Sequence, residues 1–243
     1  MRRLLLDASA ICENEIILHD AAEINHVKNV MRMSVGDEVV ISDNSKYEYR
    51  ARIRTIDAGG IIFDILEKQP FSTEPSVKIT LFQGIPKHGK LEEIIRKSVE
   101  LGAFEVVPVS MARSIPKAGS VSSKIERYRR VALEASKQSG RGIVPEVCDE
   151  ISFSALIEKL RNYDFVLFPY EEEKGFTIKE ALRSANVPQT IAVLIGPEGG
   201  FSDAEAAALV DIGLSPCSLG KRILRTETAG PAVIAMVLYE LEL

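Results

Sequence analysis

From about residue 77 to the C-terminus, short runs of branched apolar residues alternate with amphipathic stretches. No other feature constrains the fold as much. The runs 77–83, 104–109, 165–168 and 191–195 are strand-sized and rich in Val, Ile, Leu and Phe. Between them, 90–101 places Leu91, Ile94, Ile95, Val99 and Leu101 at helical spacing. The stretch 122–139 reads as a long basic helix, 203–212 as another, and 230–241 as a final apolar helix that suits burial in a core or against a partner subunit. Alternation of this kind predicts an α/β unit, a parallel sheet with helices on both faces.

The first part of the chain follows a different pattern. Stretches 38–42, 47–56 and 60–66 read as short strands, separated by turns at Val35-Gly36-Asp37, Asp43-Asn44-Ser45 and Asp57-Ala58-Gly59-Gly60. One helix, 21–33, precedes them with Ile24, Val27 and Met31 on one face. The stretch 69–76 holds Pro70 and Pro75 among small polar residues and reads as a linker. The expected domains are therefore 1–72 and 73–243.

Composition narrows the class. With 46% apolar residues and a net charge of −5, the chain is not disordered. No apolar run approaches the roughly 20 residues of a membrane-spanning helix. The apolar stretch after Arg2-Arg3 stops at Asp7, too early for a signal peptide. Cys12, Cys148 and Cys217 are odd in number, widely spaced and without a CxxC partner, so neither a disulfide framework nor a metal site is expected, and a reducing cytoplasm fits. Charge is uneven. Residues 78–141 carry 13 basic against 6 acidic side chains, whereas 1–77 and 142–243 are both net acidic. A basic middle third can hold a polyanion or simply solvate helix faces.

Two segments carry chemistry. In Ile191-Ala192-Val193-Leu194-Ile195-Gly196-Pro197-Glu198-Gly199-Gly200-Phe201-Ser202, an apolar strand runs into a Gly/Pro loop, and Ser202 with Glu205 forms a capping box for the next helix. Ligands of open α/β sheets sit beyond such strand ends. No Gly-Lys-Ser/Thr follows and the loop is not GxGxxG, so the pattern points to a cofactor without phosphates, held by backbone groups. The second segment, Cys217-Ser218-Leu219-Gly220-Lys221-Arg222-Ile223-Leu224-Arg225-Thr226-Glu227-Thr228-Ala229-Gly230-Pro231, puts three cations beside a helix N-terminus, with Thr226 and Thr228 as candidate N-caps.

Together these two loops resemble the paired motif of the RsmE family of SPOUT methyltransferases, 16S rRNA (uracil(1498)-N(3))-methyltransferases. Asn29 to Asp37, Leu91 to Ser114 and Glu134-Ala135-Ser136-Lys137-Gln138-Ser139-Gly140-Arg141 also resemble family stretches. Lys137 departs from the acid often found there. The resemblance covers nearly the whole chain. It implies a PUA-like RNA-binding β-barrel in 1–72 and a SPOUT-type α/β domain with a trefoil knot in 73–243. It further implies S-adenosyl-L-methionine as cofactor, a homodimer, no metal and no membrane, with 16S rRNA of the small ribosomal subunit as substrate. The implied cofactor residues are Leu167, Phe168, Pro169, Leu194, Ile195, Gly196, Pro197, Glu198, Gly199, Gly200, Ser218, Leu219, Gly220, Ile223, Leu224, Thr226 and Ala229. Arg225 is expected to stabilise a deprotonated uracil, with Glu198 and Glu227 accepting a proton or orienting Arg225. Candidate RNA contacts are Arg2, Arg3, Lys28, Arg32, Arg50, Lys87, Lys90, Arg113, Lys137 and Arg141. The competing readings are a non-catalytic RNA-binding assembly factor, a phosphate-binding enzyme of small molecules, and a SPOUT enzyme modifying another RNA position.

Overall fold

The computed structural model describes residues 2–87, 89–115, 119–184, 186 and 188–242. The chain forms two compact units. One comprises the chain up to Glu74 together with Ser136–Val144, and the other Pro75–Ala135 together with Pro145–Leu243.

The first unit is built on a five-stranded sheet of β1 (Arg3–Leu5), β2 (Glu15–Leu18), β3 (Glu38–Ser42), β4 (Tyr47–Asp57) and β5 (Gly60–Pro70), in the order β1-β3-β4-β5-β2. Only β1 and β3 pair in parallel. Alternation along β4 turns Tyr49, Ala51 and Ile53 into a core shared with Leu4, Ile16, Val39, Ile41, Ile61 and Phe63. The same alternation turns Arg50, Arg52 and Arg54 outward, where Glu67, Glu38, Glu15 and Asp64 meet them. The helix expected over 21–33 is shorter. Asp20 caps α1 (Ala21–Asn25), which continues as a π turn over His26–Val30 and ends at Arg32, whose φ is 51°. Val27 and Met33 are both buried and joined by a Met33 N–H bond to the Val27 carbonyl, so the chain reverses between them instead of completing another α turn.

Residues 136–144, which the linker at 69–76 had assigned to the second domain, pack with this first unit. Arg141, 4% exposed, pairs with Glu74 at 2.6 Å, and Lys137 with Glu23 at 2.6 Å. The Gly142 N–H donates to Glu74 at 2.7 Å, the Ser42 hydroxyl donates to the Gly142 carbonyl, and the Val144 N–H donates to Asn44 at 2.7 Å. These contacts link positions far apart in sequence, which a boundary drawn from composition does not register.

The second unit holds β6 (Lys78–Gly84), α2 (Lys90–Glu100), β7 (Glu105–Ser110), α3 (Ile125–Ser139, whose last residues count with the first unit), β8 (Glu146–Val147), β9 (Ile151–Ser152), α4 (Phe153–Leu160), β10 (Phe165–Pro169), α5 (Ile178–Ser184), β11 (Thr190–Ile195), α6 (Asp203–Asp211), β12 (Pro216–Cys217) and α7 (Thr226–Leu241). Every pairing in its sheet is parallel, in the order β12-β10-β11-β6-β7-β8, with β9 also on β7. Phe82, Val107, Val109, Phe168, Ala192 and Leu194 face α4 and α6. Leu81, on the opposite face of β6, touches Gly230 of α7, and α7 packs on α2, α5, β6 and β11. Helices thus cover both faces, as the alternation predicts.

Six elements escaped the sequence patterns: α4 and α5, each too short for a periodicity, and the strands β1, β2, β8 and β9, of two to four residues each. The final helix also starts at Thr226, earlier than the expected 230. Pro231 sits inside its second turn and forgoes the hydrogen bond to the Glu227 carbonyl. Among the described residues, no helix is long and apolar enough to cross a membrane.

Candidate active site

The parallel register brings the chemistry-bearing segments to one edge. Leu167 pairs with Val193, Pro169 with Cys217 and Ile195 with Gln83. The loops after β10, β11 and β12 therefore leave the same end of the sheet side by side, and Thr226, after the third of them, bonds to Gly196 of the second. Backbone bonds join two of these loops. The Tyr170 N–H donates to the Cys217 carbonyl at 3.0 Å, the Ser218 N–H to Phe176 at 2.7 Å and the Ile178 N–H to Ser218 at 3.0 Å.

The Gly-rich loop is held from three directions. Ser202 and Glu205 form the expected capping box on α6. Arg113 donates to the Gly199 carbonyl at 2.8 Å, and Glu205 accepts from the Ala112 N–H at 2.7 Å. Phe201 is buried edge-on against Phe168, with ring centroids 5.0 Å apart. Glycine is demanded by space at two places. A Cβ on Gly196 would lie 2.9 Å from the Gly200 backbone, and one on Gly84 would lie 2.5 Å from the Pro197 ring.

A buried polar network ties this loop to α7. Gln83, fully buried on β6, donates through Nε2 to the Thr226 hydroxyl at 2.8 Å and to the Gly84 carbonyl at 2.9 Å. The Thr226 hydroxyl donates in turn to the Gly196 carbonyl at 2.7 Å. Thr226 is therefore not the N-cap: Arg225 occupies that position with extended backbone and no side-chain cap bond. Thr228 lies inside the first turn, where its N–H donates to Arg225. The Thr226 hydroxyl is needed at Gly196, and a cap bond would forfeit it.

Electrostatically the site centres on Lys90. Its ammonium lies 3.1 Å from Glu227 and 3.3 Å from Glu198, and Glu198 also accepts from the Lys87 N–H at 3.1 Å. The hydrogen bond to Glu227 holds the Lys90 ammonium above its ordinary value. The Glu227 carboxyl is held below the usual range, first by its own backbone N–H and then by Lys90, with the Arg225 charge adding to both. A carboxylate stabilised in this way is a weak proton acceptor. Arg225 is exposed and makes no ion pair among the described residues. Its guanidinium is available to an incoming anion.

The expected RNA contacts separate into two groups. Arg2 pairs with Asp37, Arg3 with Glu48, Arg50 with Glu67, Lys90 with Glu198 and Glu227, Arg113 with Asp203, Lys137 with Glu23 and Arg141 with Glu74. Lys28, Arg32 and Lys87 make no side-chain ion pair among the described residues. Sequence reasoning missed Gln83, Gly84 and the bridging role of Lys90. The signal for the first two was a glutamine and a glycine ending an otherwise apolar strand, Ile79-Thr80-Leu81-Phe82-Gln83-Gly84.

Other candidate places lie elsewhere. A cavity of about 360 Å³ in the first unit is lined by Tyr49, Asp43, Glu13 and Lys68. Another of about 240 Å³ lies where β6, β7 and β11 begin. Near it, Glu105, Glu146 and Cys148 bring ligand-type atoms within 4.8 Å of one another. The Cys148 thiol donates to Glu105 at 3.0 Å, and burial, then Glu105, push it upward.

Comparison with known proteins shows what the chain resembles. An RNA methyltransferase domain model matches residues 73–238, and an RNA methyltransferase PUA domain model matches 20–66. Ribosomal RNA small subunit methyltransferase E of Bacillus subtilis (strain 168) is 34% identical over 91% of this chain and 89% of its own. The protein of the same name from Synechocystis is 31% identical over 97% of this chain and 76% of its own. The crystal structure of a ribosomal RNA small subunit methyltransferase E from Neisseria gonorrhoeae bound to S-adenosyl methionine matches with a TM-score of 0.85, at 27% identity over 98% of this chain and 97% of that one.

Proposed function

We propose, from the premise that this chain belongs to the ribosomal RNA small subunit methyltransferase E family, that it transfers a methyl group from S-adenosylmethionine to N3 of one uridine, U1498, of 16S rRNA. The observation that carries the reading is the clamped pair of loops. The Gly196–Gly200 loop is tied, with Gln83, to Thr226, the residue that follows the Ser218–Arg225 loop, at the carboxyl edge of the sheet beside an uncommitted Arg225.

The residues fit such a cofactor. Gly196 permits an approach of backbone to backbone that no side chain would allow. A Cβ on Gly220, at φ 108°, would enter open space, which leaves room for an adenosyl group against the bare loop. Ile223 is 85% exposed beside it and offers apolar surface. Backbone groups of Leu194–Gly200 and Ser218–Leu224 would hold adenine and ribose, with Leu167–Pro169, Thr226 and Ala229 behind them. When bound, S-adenosylmethionine supplies a methyl group on a cationic sulfur.

The chain's part is to hold a uracil ring in line and to favour its anion. N3 must lose its proton, which passes to solvent water, and the resulting charge spreads over the ring oxygens. Arg225 offers a planar donor fork to that charge. Glu227 and Glu198, bridged by Lys90, fix the first turn of α7 from which Arg225 projects. In this arrangement they orient Arg225, and Glu227, held as a carboxylate, is a weak proton acceptor. Alignment itself supplies the largest part of the rate. The exposed Met236 and Tyr239 of α7 support a second copy packing on that helix as a homodimer. A threaded, knotted C-terminus and a cytoplasmic location belong to the same reading.

Calorimetry with S-adenosylmethionine, followed by nucleoside mass spectrometry of 16S rRNA treated with the enzyme, tests the proposal. The expected product is 3-methyluridine at one position. No cofactor heat would leave an RNA-binding assembly factor, and a methyl on another atom would refute the assignment of N3. Arg225→Ala should keep cofactor affinity and lose turnover by about 100-fold or more. Parental turnover would remove Arg225 from the chemistry.

A further inference from the structure

The first unit carries nine basic side chains up to residue 74, and most are spoken for. Arg2, Arg3, Arg50, Arg52 and Arg54 each face a carboxylate. Lys46 and Lys68 lie over the Tyr47 ring. Lys28 and Arg32 remain, both exposed, with no ion pair among the described residues. They occupy one short segment, the π turn over His26–Val30 and the reversal that follows it. Acids near its ends are already engaged: Glu23 with Lys137 and Asp37 with Arg2.

This segment is rigid as well as charged. Val27 and Met33 anchor its two ends in the core, and the Met31 and Met33 N–H groups donate to the His26 and Val27 carbonyls. Between these anchors Arg32 is left-handed, with φ at 51°, a conformation that favours glycine or asparagine. Val30 on this segment stands 64% exposed, and Val35, two residues past Met33, 62%. A long cation held at a glycine-type position, beside uncovered valines, is costly for stability and useful for contact.

We infer that the Lys28–Arg32 turn is the RNA-docking element of the first unit, its two cations gripping phosphates of the rRNA substrate, while the outward arginines of β4 serve the fold. The inference rests on the methyltransferase reading and specifies how that substrate is held. Backbone contacts of this type position an RNA without reading its sequence.

Filter binding of full-length 16S rRNA transcript to the whole protein, over a series of KCl concentrations, tests it. Lys28→Ala with Arg32→Gly should weaken binding by about tenfold or more at moderate salt and flatten the log–log salt slope by roughly 1.4 to 1.8, the share of two phosphate contacts. Arg32→Gly alone should melt no lower than the parent, because glycine suits the backbone there. Arg32→Lys should restore binding to within about twofold, because it restores the charge. Cofactor affinity should not move in any of these variants. Parental affinity and slope in the double variant would overturn the inference, as would an Arg32→Lys as weak as Arg32→Gly. Unchanged binding to naked RNA with weakened binding to whole small subunits would make the turn a protein-docking surface and also overturn it. A parent that takes up no S-adenosylmethionine would instead bring down the methyltransferase reading, so the two failures are distinct.

Discussion

Replacing Thr226 by valine keeps a β-branched side chain of the same outline at the start of α7, so packing and helix entry are retained. Only the hydroxyl is lost. It donates to the Gly196 carbonyl at 2.7 Å and accepts from Gln83 at 2.8 Å, in a residue 6% exposed. A buried hydrogen bond contributes about 1 kcal/mol net, and a group left without any partner costs about 1–3 kcal/mol. Both groups keep a fallback. The Gln83 amide retains the Gly84 carbonyl at 2.9 Å, and the Gly196 carbonyl retains a long contact from Gln83 at 3.4 Å. The expected loss is therefore at the lower end, about 2 kcal/mol, or a fall in Tm of roughly 4–8 °C for a chain of this size. The same bonds set the position of the Gly-rich loop against α7, so the cofactor Kd should rise about tenfold, equivalent to about 1.4 kcal/mol. Thermal melts and calorimetry on Thr226→Val, Gln83→Leu and the double variant form a cycle whose coupling should reach about 1 kcal/mol. A single-variant loss below about 0.5 kcal/mol, an unchanged Kd and strict additivity would refute the clamp.

The bridge at Lys90 gives a pH prediction. A carboxyl held low in the folded state adds stability above its ordinary value and loses it as pH falls through the lowered one, whereas a raised ammonium adds stability that fails only at high pH. Lys90→Gln should let Glu227 titrate nearer its ordinary value and move the acid limb of Tm against pH upward; an unmoved limb would show that the bridge contributes nothing. Gly84→Ala places a Cβ 2.5 Å from the Pro197 ring and 2.9 Å from the Gly196 carbonyl carbon, so it should cost about 1–3 kcal/mol and abolish calorimetric cofactor binding; parental binding would mean that the loop can shift freely. Among the thiols, exposed Cys12 should react with iodoacetamide near pH 8, while Cys217, pushed up to about 12 by burial, and Cys148 should be spared. Peptide mass spectrometry that finds Cys217 alkylated in the native protein would contradict its burial.

Much of this was legible in the sequence because it rests on periodicity and local chemistry. The parallel sheet follows from branched strands alternating with helices, and the Ser202–Glu205 cap from a spacing of three. Gln83 was not legible, since its meaning depends on Thr226, 143 positions away, and on a sheet order that places β6 beside β11. The final helix reads from 230, where the apolar run begins, because the polar first turn, Thr226 to Thr228, carries no apolar signal. Charge counts located the basic region without showing which cations already have partners.

The passage of residues 136–144 into the first unit has a consequence for synthesis. The sheet of β1 to β5 is complete in sequence by Pro70, but Glu74 and Ser42 await Arg141 and Gly142. A ribosome adding about 5–20 residues per second needs roughly 4–14 seconds to travel from Glu74 to Val144. Over that interval the nascent first unit would carry an unneutralised Glu74 carboxylate and a Phe71 ring without Gly142 against it, a period in which a chaperone could reach it first.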